Sequence, residues 1–480
     1  MTTKTVLAFL GTLFFAQASL ADQVTNETWF AIMLDGSKIG YTHEQRRITD
    51  RGIEHSNETI ITMVRGGVPI TIRTLEKSLE SIDAEPLAFE AVQDISGASM
   101  TLRGQIQEDG TVLGTTISAG SEQEQTFAWP SGAMMPEALD RLERSKGIDP
   151  VKYEATAFVA LSLQSVPMQI EIVGPESIEI FGLTSELIRV EQQMSPGSTT
   201  MSATVWMDRD FNVKRILSEV MGLTMEWLAC PEECAKAKSN PPEFFADTFI
   251  RLPKSIEKRE LAGPLKLHIS AIDDQTQFSI PNSDEQSVEQ VPGGWEVTIS
   301  PNDYAGTAFS TDVDLEAALS ATRWLQSDAE EVKELAERAV EGESSAAAKM
   351  KKIESFVARH INQKSLSVGY ASALEVARDR SGDCTEHALL VAAMGRAVGI
   401  PTRVASGFAY ADRYLNQKNV FVPHAWAQAY IDDRWVSFDA ALKGFTSGHL
   451  ALAYGDGDPW YFYDNINAIG NLRIDGVEPL

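Results

Sequence analysis

The chain has 480 residues, of which 43% are hydrophobic and 23% are charged, and these proportions are ordinary for a globular protein. A formal net charge of −27 would repel the phosphate groups of a nucleic acid, so nucleic acid is not expected as a partner. The length allows two or three domains and a sizeable core.

The first residues have the pattern of a secretory signal. Lys4 precedes an apolar run over 6–16, and the small residues that follow favour cleavage after Ala21, with Ala18 as the second choice. The run is too short to cross a membrane, and no other stretch of about 18 apolar residues occurs in the sequence. We therefore expect residues 1–21 to be removed and the mature chain to be periplasmic or secreted, with no membrane span.

Residues 22–244 have the alternation of polar and apolar side chains that is typical of antiparallel strands. Asp35-Gly36 and Asp109-Gly110 are strong signals for hairpin turns, and a longer turn is expected near Asp208. One helix interrupts the pattern between about 136 and 145. We therefore predict an antiparallel β-rich domain, and none of its residues has catalytic spacing.

Two of the three cysteines, Cys230 and Cys234, are separated by three residues near the end of this region. In an oxidising compartment this spacing favours a local disulfide, and a metal-binding pair or two free thiols are the alternatives. Strand patterns return over 245–311, with a turn signal at Gly293-Gly294. That segment is expected to form a small β unit or to extend the edge of the first sheet.

Near residue 312 the period of the apolar residues changes to that of a helix. Ser327 and Glu330 have the spacing of a capping box before a first amphipathic helix. A second amphipathic helix follows, and then a short helix over about 371–377. The apolar faces of the two amphipathic helices consist of Val332, Leu335, Ala336, Ala339 and Val340, and of Met350, Ile353, Phe356, Val357 and Ile361. We therefore expect a C-terminal domain over 312–480.

The third cysteine, Cys384, lies at the start of the segment "GDCTEHALLVAAMGRAVGIP". Polar residues followed by a nearly all-apolar run, with Gly399 as a stop, predict a buried helix with Cys384 in its first turn. There the unpaired backbone N–H groups and the helix dipole stabilise a thiolate, which is the nucleophilic form of cysteine. Glu386 is expected to be an exposed acid in the same turn.

A base for this thiol is offered by a predicted hairpin with its turn at Asp432-Asp433. A two-residue turn there pairs 428 with 437 and 426 with 439, which places His424 and Asp439 on the same face as diagonal neighbours. Side chains of diagonal neighbours can reach one another. Asp439 can therefore hold the His424 imidazole, and His424 can activate Cys384.

Residues 312–480 resemble the transglutaminase-like superfamily, whose fold is of the papain type. The resemblance is carried by "GDC" before a helix, "RAVGIPTRVASG" after it, "HAW" opening a strand and "RWVSFDAA" closing the hairpin. It implies a catalytic triad of Cys384, His424 and Asp439. Many bacterial members are secreted with a β-rich N-terminal region, so the resemblance implies an α+β protein: a mainly antiparallel β region followed by a papain-like α+β domain. Ala440 departs from the proline that usually follows the family's aspartate.

The resemblance implies a thiol enzyme that attacks the amide carbonyl of a peptide or protein substrate and needs no cofactor or metal. Hydrolysis, as in a peptidase or amidase, is favoured over crosslinking because water is the default acceptor of the acyl group. Tyr370 and Gln363 are candidates for the second donor of the family's oxyanion hole.

Two alternatives stay open. The protein could be a non-catalytic envelope binding or scaffold protein that keeps the fold, with the β-rich region making the contacts. Cys384 and His387 could instead form a metal site with His424 and Asp439, because residues three apart on a helix are neighbours.

Overall fold

The computed structural model describes residues 23–65, 68–95, 98–118, 121–195, 201–220, 223–243, 248–272, 278–301, 314–364, 371–442, 444–458 and 468–480. The predicted signal at 1–21, the two expected domain boundaries at 244/245 and 311/312, and Tyr370 lie outside these residues.

An antiparallel sheet of fourteen strands occupies the N-terminal half. The first eight strands lie side by side in chain order, and so do the last six. The first strand pairs with the fourteenth, and this pairing joins the two runs in the middle of the sheet. The strands are β1 (Gln23–Leu34), β2 (Ser37–Thr49), β3 (Gly52–Arg65), β4 (Val68–Glu80), β5 (Pro86–Ile95), β6 (Ala98–Ile106), β7 (Thr111–Ser118), β8 (Ser121–Ala128), β9 (Val151–Val159), β10 (Gln164–Ile180), β11 (Leu183–Met194), β12 (Met201–Met207), β13 (Val213–Val220) and β14 (Leu223–Ala229). Short turns suffice for this meander.

The three turns predicted in this region are confirmed. Leu34 pairs with Ser37 around Asp35 and Gly36, whose φ angles of 45° and 75° are those of a type I′ hairpin turn. The turn at 109–110 joins β6 to β7, and the longer turn near 208 joins β12 to β13.

A helix, α1 (Pro136–Lys146), lies in the connection between β8 and β9, one residue longer than predicted. Its N-cap residue, Met135, makes no side-chain capping bond. The carboxylate of Glu80, at the end of β4, accepts hydrogen bonds instead from the N–H groups of Glu137 and Ala138, at 2.8 and 3.0 Å. The large sheet therefore caps the helix that crosses it.

A disulfide joins Cys230 to Cys234, whose Cα atoms are 6.0 Å apart, where β14 leads into the short helix α2 (Glu232–Ala235). Beyond it, a two-residue strand and a short helix, β15 (Ile250–Arg251) and α3 (Lys258–Leu261), lead into a second sheet.

The second sheet has four antiparallel strands, and the last strand of the chain completes it. In sheet order they are β17 (Gln286–Val291), β18 (Gly294–Ile299), β16 (Leu265–Ala271) and β25 (Leu472–Pro479). Buried side chains of this sheet, such as Leu267 and Val297, form one cluster with Phe408, Phe421 and Leu450. The β unit expected at 245–311 thus shares its sheet and its core with the C-terminal segment.

Four helices begin the C-terminal segment: α4 (Glu330–Val340), α5 (Ala346–His360), α6 (Ala373–Asp379) and α7 (Cys384–Ala397). The apolar faces predicted for the first two are confirmed, since their members are buried or pack against the core. The cap predicted at Ser327 is wrong, because α4 begins at Glu330 and its N-cap is Ala329. Ser327 is itself buried, and its N–H donates to the Leu325 carbonyl in a separate turn before the helix.

A five-stranded sheet supports α7, which is buried throughout 386–396. Besides β15, its strands are β22 (Gln417–Ile431), β21 (Thr402–Tyr414), β24 (His449–Gly455) and β23 (Arg434–Phe438), and β23 pairs with β22. Two short parallel strands, β19 (Gln363–Lys364) and β20 (Ser381–Gly382), meet directly before α7. None of the helices that the structure describes is long and apolar enough to cross a membrane.

Candidate active site

Cys384 is the first residue of α7, and it is half-buried. The N-cap residue before it, Asp383, accepts the N–H of Thr385 through Oδ1 at 3.0 Å. Gly382 has a φ of 156°, and a Cβ there would lie 2.3 Å from the Cβ of Glu386, so the sharp entry into the helix requires glycine. The thiol therefore lies at the positive end of a long buried helix, in the first turn that the sequence predicted.

Glu386 is fully buried, so the expectation of an exposed acid is wrong. Its Oε2 accepts the N–H of Asp383 at 2.8 Å, and its Oε1 accepts the N–H of Ala371 at 3.1 Å. Burial and the neighbouring Asp383 carboxylate raise the pKa of Glu386 well above its ordinary value. The capping-box spacing of Asp383 and Glu386 indicates the first of these bonds, but the contact with Ala371 depends on the tertiary fold.

The "HAW" motif predicted that His424 would open a strand. Instead, His424 is the eighth residue of β22. The strand begins earlier than expected because Pro423 falls at a tolerated position. On that side of β22, β15 pairs with Val420 and Phe421, and β23 begins to pair only at Ala427. Proline removes a backbone donor, and among the described residues no strand pairs with this edge of β22 between those two contacts, whereas β21 pairs along the other edge.

The hairpin of β22 and β23 has the predicted register, with Gln428 opposite Ser437. It brings Asp439, which directly follows β23, beside His424, and Nε2 of the ring lies 2.8 Å from Asp439 Oδ2. Nδ1 is left for the hydrogen bond between the ring and Cys384. The structure therefore brings all three predicted residues into one hydrogen-bonded line, with His424 and Asp439 buried.

The Asp439 carboxylate accepts four hydrogen bonds. Oδ2 accepts from Nε2 of His424 and from Nε2 of His449, the latter at 2.9 Å. Oδ1 accepts from the backbone N–H groups of residues 441 and 442, at 2.7 and 3.1 Å. The N–H of Asp439 donates to Glu354 of α5 at 2.8 Å. The carboxylate is therefore held in place from both sides.

No sequence pattern indicates His449. It is the first residue of β24 and is 3% exposed. The ionised Asp439 carboxylate can only accept, so the Nε2–H of His449 donates to it. Nδ1 faces Thr446, 3.2 Å from its backbone nitrogen and 3.1 Å from its carbonyl oxygen. β24 pairs with β21 rather than with the hairpin, and it comes close at Gly407, where a Cβ would lie 2.0 Å from the Leu450 carbonyl oxygen.

The electrostatics of this line favour a charged His424 ring. Burial opposes charge on the His424 ring, yet the Asp439 carboxylate and the Cys384 sulfur together raise the pKa of His424 to about 10. Burial likewise opposes ionisation of Asp439, but the His424 and His449 rings hold its pKa well below its usual range. The site is thus built so that the ring is charged at neutral pH and the carboxylate stays ionised.

Of the two candidates for a second oxyanion donor, only Gln363 lies in the described part of the chain. It is exposed on β19, whose partner β20 ends two residues before Cys384. The N–H of Cys384, at the first helical position, has no acceptor within the helix and is available as the first donor.

The metal site considered from the sequence is not brought together among the described residues. His387 is buried, with Nδ1 donating to the Asp383 carbonyl. The described group of metal-ligating side chains that meet is a different one, His424, Asp439 and His449, whose ligand atoms lie within 4.8 Å of one another. Hydrogen bonds from both rings to the carboxylate already account for this geometry.

Comparison with known proteins identifies the domain that contains Cys384, His424 and Asp439. Residues 333–440 match the family model of the transglutaminase-like superfamily, and this range includes Cys384, His424 and Asp439. No curated protein matches the chain.

Three solved structures are similar to parts of the chain, each with a TM-score below 0.5. A β-barrel-like protein of a domain of unknown function from Brucella abortus is 11% identical, with a TM-score of 0.33 over 42% of this chain and 94% of its own. A candidate cysteine protease from Cytophaga hutchinsonii is 19% identical, with a TM-score of 0.28 over 48% of this chain and 85% of its own. A candidate protease from Parabacteroides distasonis is 11% identical, with a TM-score of 0.20 over 79% of this chain and 65% of its own.

The chain therefore carries a transglutaminase-like domain, and the resemblance inferred from the motifs is confirmed. The predicted fold class is confirmed as well: a large N-terminal antiparallel sheet precedes a C-terminal transglutaminase-like domain.

Proposed function

We propose that this protein is a thiol hydrolase that cleaves amide bonds in peptides or proteins, with Cys384 as nucleophile, His424 as acid and base, and Asp439 as the group that orients the ring. The observation that carries the proposal is the hydrogen-bonded line from the thiol through the imidazole to the buried carboxylate, at the N-terminus of a buried helix. Nucleophile, base and orienting group in contact are the arrangement that covalent catalysis requires.

In the first half of the reaction, the Cys384 thiolate attacks the carbonyl carbon of the substrate, a C–S bond forms, and the carbonyl electrons move onto oxygen. The N–H of Cys384 donates to that oxygen. When the electrons return, the C–N bond breaks and the His424 imidazolium gives its Nδ1 proton to the leaving amine. The products are a free amine and a thioester on Cys384.

In the second half, neutral His424 takes a proton from water through Nδ1 as the water oxygen attacks the thioester carbon. The C–S bond breaks, the carboxylic acid leaves, and the ion pair of thiolate and imidazolium is restored. An amine in place of water would give a new amide by the same steps. Asp439 stays ionised throughout, because the rings of His424 and His449 hold its pKa low.

The first test is active-site labelling of wild type and Cys384→Ala with iodoacetamide, with mass spectrometry of the modified peptide. Cys230 and Cys234 are joined in a disulfide, so Cys384 is the thiol available to react. We expect one label on the wild type and none on the variant. Equal labelling of both proteins would refute a reactive thiol at this position.

The second test is turnover of a library of fluorogenic peptide amides by wild type, Cys384→Ala and His424→Gln, with released amine as the readout. We expect cleavage by the wild type alone. A labelled thiol with no release from any peptide amide would favour the alternative of a binding or scaffold protein. Release of a crosslinked product when a primary amine is added would show that amine is the acceptor.

We further infer that the protein works after export, in the periplasm or outside the cell. The signal pattern at 1–21 and the pairing of Cys230 with Cys234 support this location. Fractionation of the native cells, followed by N-terminal sequencing, should find the protein outside the cytoplasm with Asp22 as its first residue. A cytoplasmic protein that retains residues 1–21 would contradict the inference.

A further inference from the structure

One turn after the thiol, α7 carries a histidine that takes no part in the proposed triad. His387 is 2% exposed, and its Nδ1 is hydrogen-bonded to the carbonyl oxygen of Asp383. A carbonyl oxygen can only accept, so the ring donates through its Nδ1–H. The ring therefore contacts the peptide group that joins Asp383 to Cys384.

The helix itself does not require this bond. The carbonyl oxygen of Asp383 already accepts the backbone N–H of His387 at 3.2 Å, which is the ordinary first bond of an α-helix. The ring thus brings a second donor to the same oxygen, which has two lone pairs and can accept both. The additional bond has to be explained by something other than the satisfaction of the helix end.

The other nitrogen of the ring makes packing a poor explanation for the histidine. Nε2 is buried and has no hydrogen-bond partner among the residues that the structure describes. A buried polar atom without a partner lowers stability, so an apolar side chain would suit this position better. Burial, together with the charge of Lys364, lowers the pKa of His387, so the ring is neutral at neutral pH with its proton on Nδ1. What the histidine supplies here is the bond to the Asp383 carbonyl.

The backbone N–H groups at the start of α7 are nearly all used. The N–H of Asp383 donates to Glu386 Oε2 at 2.8 Å, and the N–H of Thr385 donates to Asp383 Oδ1 at 3.0 Å. The N–H of Glu386 donates to the Asp383 side chain, which completes a capping box. Within the described part of the chain, the N–H of Cys384 has no acceptor. The first turn therefore leaves one donor over, and it belongs to the nucleophile.

This donor and the carbonyl that His387 holds are the two ends of one peptide group. The group is planar and trans, so its N–H and its C=O point in opposite directions, and fixing the oxygen also fixes the N–H. A hydrogen bond accepted by the oxygen polarises the group and strengthens its N–H as a donor. A donor to the oxyanion, the negatively charged oxygen that forms from the substrate carbonyl, acts best when it is oriented in advance.

We propose that His387 is a positioning residue for the reaction at Cys384: its Nδ1–H holds the Asp383 carbonyl, so that the N–H of Cys384 points at the developing oxyanion. This inference rests on the proposed function and adds to it a residue outside the triad. His387 acts on the steps in which the carbonyl oxygen gains charge, and not on the formation of the thiolate. Two reactions of the same thiol should therefore respond differently to its loss.

The test compares two reagents that modify Cys384 in the whole secreted protein. With p-nitrophenyl acetate, the C–S bond forms while the carbonyl oxygen gains charge, and nitrophenolate then leaves as the carbonyl is restored. With iodoacetamide, the sulfur displaces iodide from a CH₂ carbon, and no oxyanion forms. Mass spectrometry of the peptide that contains Cys384 gives both rates, and Cys384→Ala corrects for acetylation elsewhere. Neither reagent is a peptide, so this result is separate from any failure to cleave the peptide library.

The variants differ in whether they keep the donor. His387→Leu removes it, and His387→Asn keeps an N–H close to the position of Nδ1. We expect His387→Leu to lower the acetylation rate by about tenfold or more, to leave the alkylation rate as in the wild type, and His387→Asn to recover much of the loss. The matched control is His360→Leu, because the His360 ring also bonds a backbone carbonyl, that of Ala377 at 2.9 Å, and it should change neither rate.

Thermal melts would check the fold of each variant, and His387→Met, which also lacks the donor, replaces the leucine variant if that variant does not fold. An acetylation rate equal to that of the wild type in the folded variant would overturn the proposal. An equal loss in both reactions would also overturn it, because His387 would then act on the thiolate or on the fold. The same holds if the asparagine variant is as slow in acetylation as the variant without a donor.

Discussion

At the scale of single residues, the charge state of the proposed site depends on one carboxylate. The Asp439 carboxylate is 1% exposed, accepts hydrogen bonds from two rings and two backbone groups, and is the main reason that the His424 ring can be charged despite its burial. Without that carboxylate, burial would favour the neutral ring and would remove the partner of the thiolate. The thiol and the carboxylate are therefore coupled through the ring between them.

Asp439→Asn tests this coupling, because asparagine keeps the shape and removes the charge. We expect the rate of iodoacetamide labelling of Cys384 at neutral pH to fall by about tenfold or more, since a thiolate loses its imidazolium partner. Peptide turnover should fall by about a hundredfold or more. Labelling rates measured from pH 5 to 9 would show the change, and a profile identical to that of the wild type would contradict it.

His449 offers a second residue-scale prediction, because it contacts the carboxylate and not the thiol. Its Nε2–H donates to the same oxygen that holds His424, so it fixes where that oxygen lies. We expect His449→Leu to lower kcat for peptide turnover by about tenfold while thiol labelling persists. His449→Gln, whose amide can supply a similar N–H, should recover much of that loss. Equal activity of the leucine and glutamine variants would argue against a positioning role.

At the scale of elements, the site depends on the hairpin turn at Asp432-Asp433. Both residues have positive φ, 50° and 60°, as a type I′ turn requires. The turn fixes the register of β22 and β23, and a shift of one residue would move Asp439 to the other face, away from His424. Residues far from the chemistry thus determine whether the ring and the carboxylate meet.

Asp433→Val should disturb this turn, because a β-branched residue is strained at positive φ. We expect a loss of about 1–2 kcal/mol in the free energy of unfolding and a fall in peptide turnover. Asp433→Gly is the matched control, since glycine accepts this conformation, and it should be at least as stable as the wild type. Urea unfolding and turnover measured on the same samples would test both statements. A glycine variant as unstable as the valine variant would show that the backbone angle is not the cause.

The parts of the site that the sequence predicts are those with local patterns. Cys384 is marked by the start of an apolar helix, and His424 and Asp439 are related by the period of two strands and a two-residue turn. Glu386 and His449 could not be predicted in the same way. Glu386 accepts a hydrogen bond from Ala371, which lies outside its own helix. His449 lies on β24, which pairs with β21 and not with the hairpin. Both depend on contacts between elements, which no single stretch of sequence records.

At the scale of the whole molecule, the small β unit makes hydrogen bonds to the two segments that carry Asp439 and His449. The Glu285 carboxylate accepts the N–H of Ser437, two residues before Asp439, at 3.0 and 3.1 Å to its two oxygens. The Gln286 side chain accepts the N–H of Ala451, two residues after His449, at 2.8 Å and donates to the Ala451 carbonyl at 2.9 Å. Glu285 and Gln286, where β17 begins, thus hold the two segments that carry the carboxylate and the second histidine.

The burial of Glu285 links the stability of this assembly to pH. Burial raises the pKa of Glu285 to about 7 from its ordinary value near 4.5, although hydrogen bonds from Ser437 and Gln428 offset part of the effect. Between these two values the native protein keeps a proton that the unfolded chain has lost. The contribution of Glu285 to stability is therefore complete below about pH 4.5 and is lost as the pH rises through about 7. The raised pKa of His424 acts in a higher range, since its contribution is lost only as the pH rises through about 10.

Glu285→Gln should remove this dependence, because glutamine keeps a neutral side chain of the same shape at every pH. We expect the wild type to lose on the order of 3 kcal/mol of unfolding free energy between pH 4.5 and 7.5 through this residue, and the variant to lose correspondingly less. The control is Glu289→Gln, an exposed glutamate on the neighbouring strand, which should follow the wild type. Denaturant unfolding at half-unit steps of pH, followed by tryptophan fluorescence, would give the curves. Parallel curves for the wild type and Glu285→Gln would mean that the pKa of this carboxyl group is the same in the folded and the unfolded chain.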